Sequence, residues 1–210
     1  MTYEADEPTH PERPGTVAGL LLAAGGGRRL GGRPKALLRH RGRPLVEHAV
    51  RALRAGGCDP VHVVLGAAAD RVRTEADLAG CVVVDNPDWA QGMGSSLRTG
   101  LASLAGTSAS AALVVLVDQP GVGAAAVARV RTAAGASRQA LATAAYGGER
   151  GHPVFLGAAR WPDVVRGACG DQGARGYLNA HRAELVMVEC GDVAEAYDID
   201  TEADLWRLEG

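Results

Sequence analysis

Four uninterrupted apolar runs, each followed by a polar or glycine-rich loop, constrain the fold of this chain more than any other feature. The runs are VAGLLLAA (17–24), VHVVLG (61–66), CVVVD (81–85) and ALVVLVD (112–118). A strand that is apolar without alternation is typical of a parallel sheet, because helices cover both faces of such a sheet. The runs therefore predict a mostly parallel sheet in which all four strands are buried on both faces.

Segments with a helical period separate the runs, and these are PLVEHAVRALRAGG, SSLRTGLASL and AAAVARVRTAA. Alternating strands and helices predict a three-layer α/β/α, Rossmann-like fold with right-handed crossovers. The second half is less regular. It suggests strands at 140–146 and 151–157 joined by a turn at Gly147 and Gly148, a strand at 184–189, and a last short strand before a helix capped by Thr201.

The composition is that of an ordinary globular protein. The 210 residues are 47% hydrophobic and 22% charged, with a net charge of -2 and only 4% aromatic residues. This balance gives no reason to expect nucleic acid or an anionic membrane as a partner. Residues 1–15 combine prolines with acidic residues, so we predict a disordered tail there and a single domain over 16–210.

The cysteines and the absence of targeting signals predict a cytoplasmic protein. None of the four cysteines (Cys58, Cys81, Cys169 and Cys190) belongs to a CxxC pair, and no histidine cluster lies near them in the sequence. A zinc site is therefore not expected, and the thiols are expected to be reduced. The sequence shows no signal peptide, and its apolar stretches are too short or too glycine-rich to span a bilayer.

The loop after the first run, GGGRRLGGRPKALL (25–38), holds five glycines, three arginines and Lys35, the only lysine of the chain. Glycine lets backbone amides approach an anion, and the basic side chains add positive charge, so a triphosphate is a natural ligand. The alternative is a plain glycine-rich turn with solvated arginines. The lone lysine, directly after a buried strand, favours a phosphate site.

Two standard phosphate loops fit this segment poorly. A Walker A loop requires GxxxxGK followed by Ser or Thr, but Gly31 lies four residues before Lys35, and Ala36 follows the lysine. A dinucleotide fingerprint can be written only as Gly25-x-Gly27-x-x-x-Gly31. It would require an immediate helix, which Pro34 opposes, and an acid after the second strand, which is missing. The dinucleotide interpretation remains the less favoured alternative.

Asp118 follows the fourth run, where it would face the glycine-rich loop across the carboxyl edge of the sheet. One or two carboxylates together with phosphate oxygens form a common Mg²⁺ site. Asp198 and Asp200 near the C-terminus offer a second carboxylate. The alternative role for each of these aspartates is to cap the helix that follows it.

The motifs, taken in order, resemble one enzyme family. LLAAGGGRRLGGRPKALL resembles the LAAGxSxRxGxxK signature of nucleotidyltransferases with a GT-A-like α/β fold. NPDWAQGMGSSLRTGL, VDQP, RGHPVFLG, GDQGAR and DIDTEADL then follow in the order found in the molybdenum cofactor cytidylyltransferase branch of the MobA-like NTP transferases. The resemblance runs from about Val17 to about Leu208.

The resemblance implies a role for each matching residue. Arg29 and Lys35 would act in catalysis by holding the triphosphate, and Asp118 and Asp200 would hold Mg²⁺. The implied nucleotide-binding residues are Leu22, Ala23, Ala24, Gly25, Gly26, Gly27, Asn86, Ser95 and Ser96. The implied acceptor-binding residues are Gly151, His152, Asp171 and Arg175. Two departures stand out: Gly27 replaces the usual serine, and the spacing from Gly31 to Lys35 is one residue longer than in many relatives.

The implied reaction moves a CMP group from CTP, or a nucleotidyl group from another NTP, onto a phosphorylated acceptor. The acceptor of this branch is molybdenum-molybdopterin, and a recipient molybdoenzyme or its chaperone is a candidate partner. Ala24 favours CTP, since guanylyl-transferring relatives more often have glycine there. Because the acceptor phosphate is already ionised, no general base is needed, so His152 is a substrate contact or a packed strand residue.

Three alternatives stay open at this point. The first is a guanylyltransferase or another NTP transferase with a small acceptor. The second is an NAD(P)H-dependent reductase, because some members of this branch carry that description. The third is a chaperone-like module that binds a cofactor and passes it on without turnover.

Overall fold

The computed structural model describes residues 15–209. The predicted tail therefore lies, apart from Gly15, outside the described residues. The strands are β1 (Thr16–Ala23), β2 (Arg39–His40), β3 (Arg43–Pro44), β4 (Val61–Leu65), β5 (Val82–Asp85), β6 (Ala109–Leu116), β7 (Leu141–Tyr146), β8 (Glu149–Gly157) and β9 (Val186–Glu189). The α-helices are α1 (Leu45–Ala55), α2 (Ala69–Glu75), α3 (Met93–Leu104), α4 (Ala124–Ala134), α5 (Trp161–Gly167) and α6 (Arg175–Ala180).

Seven of these strands form one sheet in the order β5-β4-β1-β6-β8-β7-β9. The strands β5, β4, β1 and β6 are mutually parallel, β8 is antiparallel to β6 and to β7, and β9 is parallel to β7. The remaining two strands, β2 and β3, form a separate hairpin before α1. A mostly parallel sheet between helices confirms the predicted three-layer α/β/α fold.

Alternation along β1 divides the core between the two faces of the sheet. Leu21 and Ala23 belong to the core on the side of α1 and α4, whereas Leu20 and Leu22 belong to the core on the side of α3 and α5. Each fully buried leucine contributes about 1.5–3 kcal/mol relative to an exposed one. The doubly buried centre of the sheet thus holds the carboxyl end of β1, where the glycine-rich loop begins, in a fixed position.

The prediction that all four apolar runs are buried on both faces is wrong for CVVVD. That run forms β5 at one edge of the sheet, and its side chains are half-buried or exposed. The side chain of Val82 is 46% exposed. An edge strand has a neighbouring strand on one side only, so less protein covers it than covers β1, β4 and β6.

The prediction of a short strand near the C-terminus is also wrong, although the cap after it is confirmed. Residues 190–200 carry no strand, and one backbone hydrogen bond, from Ile199 N–H to the Asp118 carbonyl (2.9 Å), ties this segment to the end of β6. A 3-10 helix, Glu202–Leu208, then begins at Thr201 with a capping box in which the Asp204 carboxylate accepts from the Thr201 N–H (2.8 Å).

Candidate active site

The glycine-rich loop after β1 folds into a compact turn, not into a helix. Gly27 has a left-handed φ of 60°, and its carbonyl accepts hydrogen bonds from the N–H groups of Leu30 (2.9 Å) and Gly32 (3.0 Å). A 3-10 turn, Arg28–Leu30, follows, and the fully buried Leu30 anchors it. This conformation favours glycine at position 27, which accounts for the replacement of the usual serine.

The loop borders a cavity of about 490 Å³ at the carboxyl ends of β1 and β6. Ligands bind at this edge of the sheet in open α/β folds. The predicted residues that line the cavity are Leu22, Ala24, Gly25, Gly26, Gly27, Arg29, Lys35, Ser96, Asp118, Asp171 and Asp200. The structure therefore brings together the loop, both carboxylates and the start of α3.

Trp89 and Met93 also line the cavity, and sequence reasoning assigned neither of them. Trp89 packs against Gly26, where an added Cβ would lie 3.0 Å from the indole ring. Both residues belong to the motif NPDWAQGMGSS, and this position could have indicated that they lie at the site. An aromatic ring beside the glycine loop gives the cavity a flat apolar wall suited to a nucleobase.

Three other predicted nucleotide residues lie just outside the cavity. Ala23 points to the opposite face of the sheet and packs in the core beside α1. Asn86 is buried and donates from Nδ2 to the hydroxyl oxygens of Ser95 (2.9 Å) and Ser96 (3.0 Å). Ser95 Oγ donates in turn to the carbonyl of Gly92 (2.9 Å). Asn86 and Ser95 thus hold the start of α3, which presents Ser96 to the cavity.

Lys35 joins the two predicted metal ligands. Its Nζ lies 2.6 Å from Asp118 Oδ2 and 2.5 Å from Asp200 Oδ1, and the lysine side chain is only 14% exposed. Arg29 lies at the outer edge of the group, with Nη1 3.7 Å from Asp200 Oδ2. Residues from the first loop, the end of β6 and the C-terminal segment therefore meet at one point.

Burial and ion pairing act in opposite directions on this cluster. Burial raises the pKa of Asp118, while the nearby Lys35 ammonium acts to lower it. For Lys35, burial acts to lower the pKa, but the carboxylates of Asp118 and Asp200 outweigh burial, and the pKa is raised. Lys35 thus stays protonated, and its positive charge offsets part of the negative charge of the two aspartates.

The donor set fits a divalent cation that shares its coordination shell with phosphate. Mg²⁺ in nucleotide sites takes one or two carboxylates and fills its shell with phosphate oxygens and water. Asp118 and Asp200 supply two carboxylates at the cavity wall. Within residues 15–209, no group of three or more His, Cys, Asp or Glu side chains is arranged to hold a metal, so a cation here would depend on ligands from a substrate.

The predicted acceptor residues divide between the cavity and other positions. Asp171 lines the cavity from the 3-10 turn Gly170–Gln172. Gly151 and His152 lie in β8, where the Tyr146 hydroxyl donates to the His152 carbonyl (2.7 Å), and neither lines the cavity. Burial lowers the pKa of His152 to about 4, against a smaller opposing effect of Asp198. Arg175, at the start of α6, is exposed and away from the cavity lining.

Comparison with known families agrees with this geometry. The sequence profile of the MobA-like NTP transferase domain matches residues 19–185. The chain belongs to the MobA-like NTP transferase family. Membership places it among nucleotidyltransferase enzymes, and the matched range contains the glycine-rich loop, Trp89 and Asp118. Asp200 lies beyond the matched range.

Individual members of the MobA-like family resemble the chain along nearly its whole length. Nicotine blue oxidoreductase of Paenarthrobacter nicotinovorans is 41% identical over 199 residues, which cover 91% of this chain and 96% of that protein. The structure of Rv0371c from Mycobacterium tuberculosis H37Rv is 29% identical, with a TM-score of 0.80, and covers 94% of this chain and 100% of that one.

Two further structures bear on the site and on the fold. Rv0371c has also been solved in complex with manganese, at 28% identity and a TM-score of 0.76, over 93% of this chain and 99% of that one. A nucleotidyl transferase from Methanothermobacter has the same fold, with a TM-score of 0.76 at 23% identity, over 91% of this chain and 95% of that one. No helix in the described part of our MobA-like protein combines the length and apolar character needed to cross a bilayer.

Proposed function

We propose that this MobA-like protein transfers a CMP group from CTP to the phosphate of a molybdopterin-type acceptor in the cytoplasm and releases pyrophosphate. The meeting of Lys35, Asp118 and Asp200 beside a glycine-rich loop is the observation that carries the proposal. Asp118 and Asp200 lie 83 and 165 positions from Lys35 in the sequence. Phosphoryl and nucleotidyl transfer depend mainly on positioning and charge neutralisation, which such a cluster supplies.

Each side chain has a defined task in this reaction. The acceptor phosphate is ionised near neutral pH, so an acceptor oxygen forms a new bond to the α-phosphorus while the bond between the α-phosphorus and the α,β-bridging oxygen breaks. Lys35 and Arg29 would hold the triphosphate and offset the charge on the departing pyrophosphate. The peptide N–H groups of the glycine loop would orient the phosphates for in-line attack.

Asp118 and Asp200 would hold Mg²⁺. When bound, this cation supplies neutralisation of the phosphate charge. The manganese complex of Rv0371c supports the use of a divalent cation in this family. A general base is unnecessary, and the lowered pKa of His152, about 4, leaves that imidazole neutral at physiological pH.

Ala24 supports cytosine as the base. It lies at the end of the apolar run and lines the cavity, and an added Cβ on the neighbouring Gly66 would be 2.8 Å from the Ala24 Cβ. The cavity wall is therefore tightly packed at Ala24, and the alanine methyl group leaves less room for a base than a glycine would. Because a pyrimidine needs less room than a purine, this wall favours cytosine.

A reductase is the second candidate, and the 41% identity to nicotine blue oxidoreductase favours it. The local geometry argues against the dinucleotide site that a nicotinamide cofactor would use. Such a site places pyrophosphate at the N-terminus of a helix directly after the first strand. Here a 3-10 turn and a hairpin follow β1, and the first α-helix begins only at Leu45.

A pyrophosphate-release screen tests the proposal. The four NTPs would be assayed with Mg²⁺ and molybdopterin-type acceptors, for the unaltered protein and for Asp118→Asn, and a reaction without protein gives the background hydrolysis. We expect the highest kcat/KM with CTP and no release above background in the variant. A higher value with GTP would overturn the choice of base and keep the reaction class. Binding of NADPH, with no pyrophosphate release from any NTP, would replace the proposal with the reductase. Release of pyrophosphate would also exclude a purely chaperone-like role.

A further inference from the structure

The Lys35 ammonium lies between the two carboxylates and is held there by its own loop. Its Nζ is 2.6 Å from Asp118 Oδ2 and 2.5 Å from Asp200 Oδ1, which puts the two oxygens at most about 5 Å apart. The lysine begins the 3-10 turn Lys35–Leu37, and the next residue, Ala36, is buried in the core. The backbone that carries Lys35 is therefore fixed, and only the side chain can change its direction.

A divalent cation bound by both carboxylates would need the space that this ammonium fills. Mg²⁺ binds oxygen ligands at about 2.1 Å, so a cation shared by two oxygens no more than about 5 Å apart lies between them. The Nζ atom occupies that same region. The lysine and the cation therefore compete for these two oxygens, and the side chain must turn away before a metal can bind both of them.

We propose that Lys35 is the resident counter-cation of Asp118 and Asp200, that a divalent cation displaces it, and that the triphosphate receives the displaced ammonium. This inference rests on the proposed function, in which Lys35 contacts phosphate. It adds a second task for the lysine. As a positioning residue, Lys35 keeps the carboxylates from binding a cation until the nucleotide is present.

Charge makes this exchange depend on the nucleotide. A cation alone would leave a mostly buried ammonium beside a dication with no anion to pair with, and an unpaired buried charge is costly. A triphosphate offers several negative oxygens next to the same loop. Cation binding and nucleotide binding therefore strengthen each other, and by linkage each raises the affinity for the other by the same factor.

The exchange can be followed directly because Lys35 is the only lysine in the chain. Protein grown with lysine labelled by ¹³C at Cε gives one lysine side-chain NMR signal. We expect this signal to stay in place with Mg²⁺ alone, and to shift when Mg²⁺ and a non-hydrolysable CTP analogue are added together. A signal that stays in place in both titrations, although the analogue binds, would overturn the proposal. So would a signal that moves with Mg²⁺ alone as readily as with both.

Binding of Mn²⁺ without nucleotide, measured by electron paramagnetic resonance, gives the second test. We expect Lys35→Gln to bind Mn²⁺ about tenfold more tightly than the unaltered protein, a coupling of ordinary size. Lys35→Arg keeps the charge and should bind weakly. The matched control for loss of one positive charge is Arg33→Gln, since Arg33 lies in the same loop but pairs with Glu202 (2.7 Å) at the surface. It should change the affinity less than about twofold.

The outcomes separate this inference from the proposed function. A folded Lys35→Gln protein that binds Mn²⁺ no more tightly than the unaltered protein would overturn the counter-cation role. If Lys35→Gln does not fold, the NMR titration of the unaltered protein decides. Tighter Mn²⁺ binding by Lys35→Gln, together with no effect of any NTP on the unaltered protein, would support the counter-cation role and overturn nucleotidyl transfer.

Discussion

The carbonyl oxygen of Arg33 lies 1.9 Å from the point that a Cβ atom on Gly27 would occupy. The backbone of the glycine-rich loop thus folds back on itself so closely that no side chain fits at position 27. Gly32, in the same loop, also has a positive φ, of 78°, but an added Cβ there would meet nothing within 4 Å. Comparison of the two glycines therefore distinguishes a steric clash within the loop, at Gly27, from backbone strain alone, at Gly32.

We therefore expect Gly27→Ala to reshape the loop and Gly32→Ala to leave it nearly intact. Gly32→Ala carries only the strain of a left-handed alanine, about 1–2 kcal/mol. Gly27→Ala must also displace the Arg33 backbone, so nucleotide affinity should fall at least about tenfold, the equivalent of about 1.4 kcal/mol. Thermal unfolding and nucleotide titration of both variants provide the measurement. Equal effects of the two substitutions on affinity would contradict this account.

Trp89 should provide part of the nucleotide affinity. Replacement of Trp89 by Ala removes the aromatic wall beside Gly26 and should weaken CTP binding about tenfold, since a base–aromatic contact is worth about 1–3 kcal/mol. Isothermal titration with a CTP analogue measures the effect. The control is Trp206→Ala, because Trp206 is 66% exposed on the C-terminal 3-10 helix and does not line the cavity. Unchanged affinity in Trp89→Ala would rule out the base-binding role.

Two adjacent serines should differ in their response to loss of the hydroxyl group. Ser95 Oγ donates to the carbonyl of Gly92 or of Asp88 and accepts from the buried Asn86, so Ser95→Ala should lower the free energy of unfolding by about 1–3 kcal/mol. Ser96 also accepts from Asn86 (3.0 Å) but lines the cavity, so Ser96→Ala should cost less stability than Ser95→Ala and weaken nucleotide binding more. Urea denaturation and nucleotide titration distinguish the two. The assignment fails if Ser96→Ala loses stability while its affinity is kept.

Lys35→Ala should reduce turnover at least about tenfold, because a charge-assisted contact to phosphate contributes about 1.5–3 kcal/mol. Arg33→Ala is the comparison, since Arg33 pairs with Glu202 at the surface and does not line the cavity. Pyrophosphate release with saturating CTP, Mg²⁺ and a molybdopterin-type acceptor is the readout. Near-normal turnover in Lys35→Ala would refute a catalytic role for this residue.

His152 should make the protein less stable in mild acid. Its pKa in the folded state is about 4, below the ordinary value of 6.5, because burial disfavours the charged ring. The unfolded chain therefore binds more protons between these values, so the destabilisation from His152 is absent above about pH 6.5 and grows as the pH falls toward 4. The full effect is on the order of 3 kcal/mol.

The matched variant for this titration is His152→Asn, which cannot take up a proton. As the pH falls from about 6.5 toward 4, the free energy of unfolding of His152→Asn should fall less than that of the unaltered protein. Urea denaturation at several pH values measures this difference. A difference that stays constant from pH 7 to pH 4.5 would show that His152 does not remain neutral in the fold.

Local pattern was enough to predict the strands that are buried on both faces and one helix that covers them. The apolar runs of β1, β4 and β6 and the helical period of α4 depend on neighbours in sequence, and the structure has them close to the predicted bounds. The exposure of β5 could not be predicted in this way, because an edge strand is defined by the order of strands in the sheet. That order depends on contacts far apart in the chain.

Contacts between distant parts of the chain were also the part of the site that could not be predicted. The order of the motifs predicted that Asp118 and Asp200 lie near the glycine-rich loop, and the structure brings them to one cavity. It did not predict that Lys35 would lie between them, since the sequence assigned the lysine to phosphate alone. Burial is the largest cause of the raised pKa of Asp118, and the Asp198 carboxylate adds to it.

The hydrogen bond from Ile199 N–H to the Asp118 carbonyl has a consequence for biosynthesis. A nascent chain that has left the ribosome up to α6 already contains the glycine loop, Trp89 and Asp118, but not the segment that this bond draws in. Asp200 and the capping box behind it come after all the described strands of the sheet. During synthesis, the second carboxylate of the ion cluster therefore becomes available only after those strands have been made.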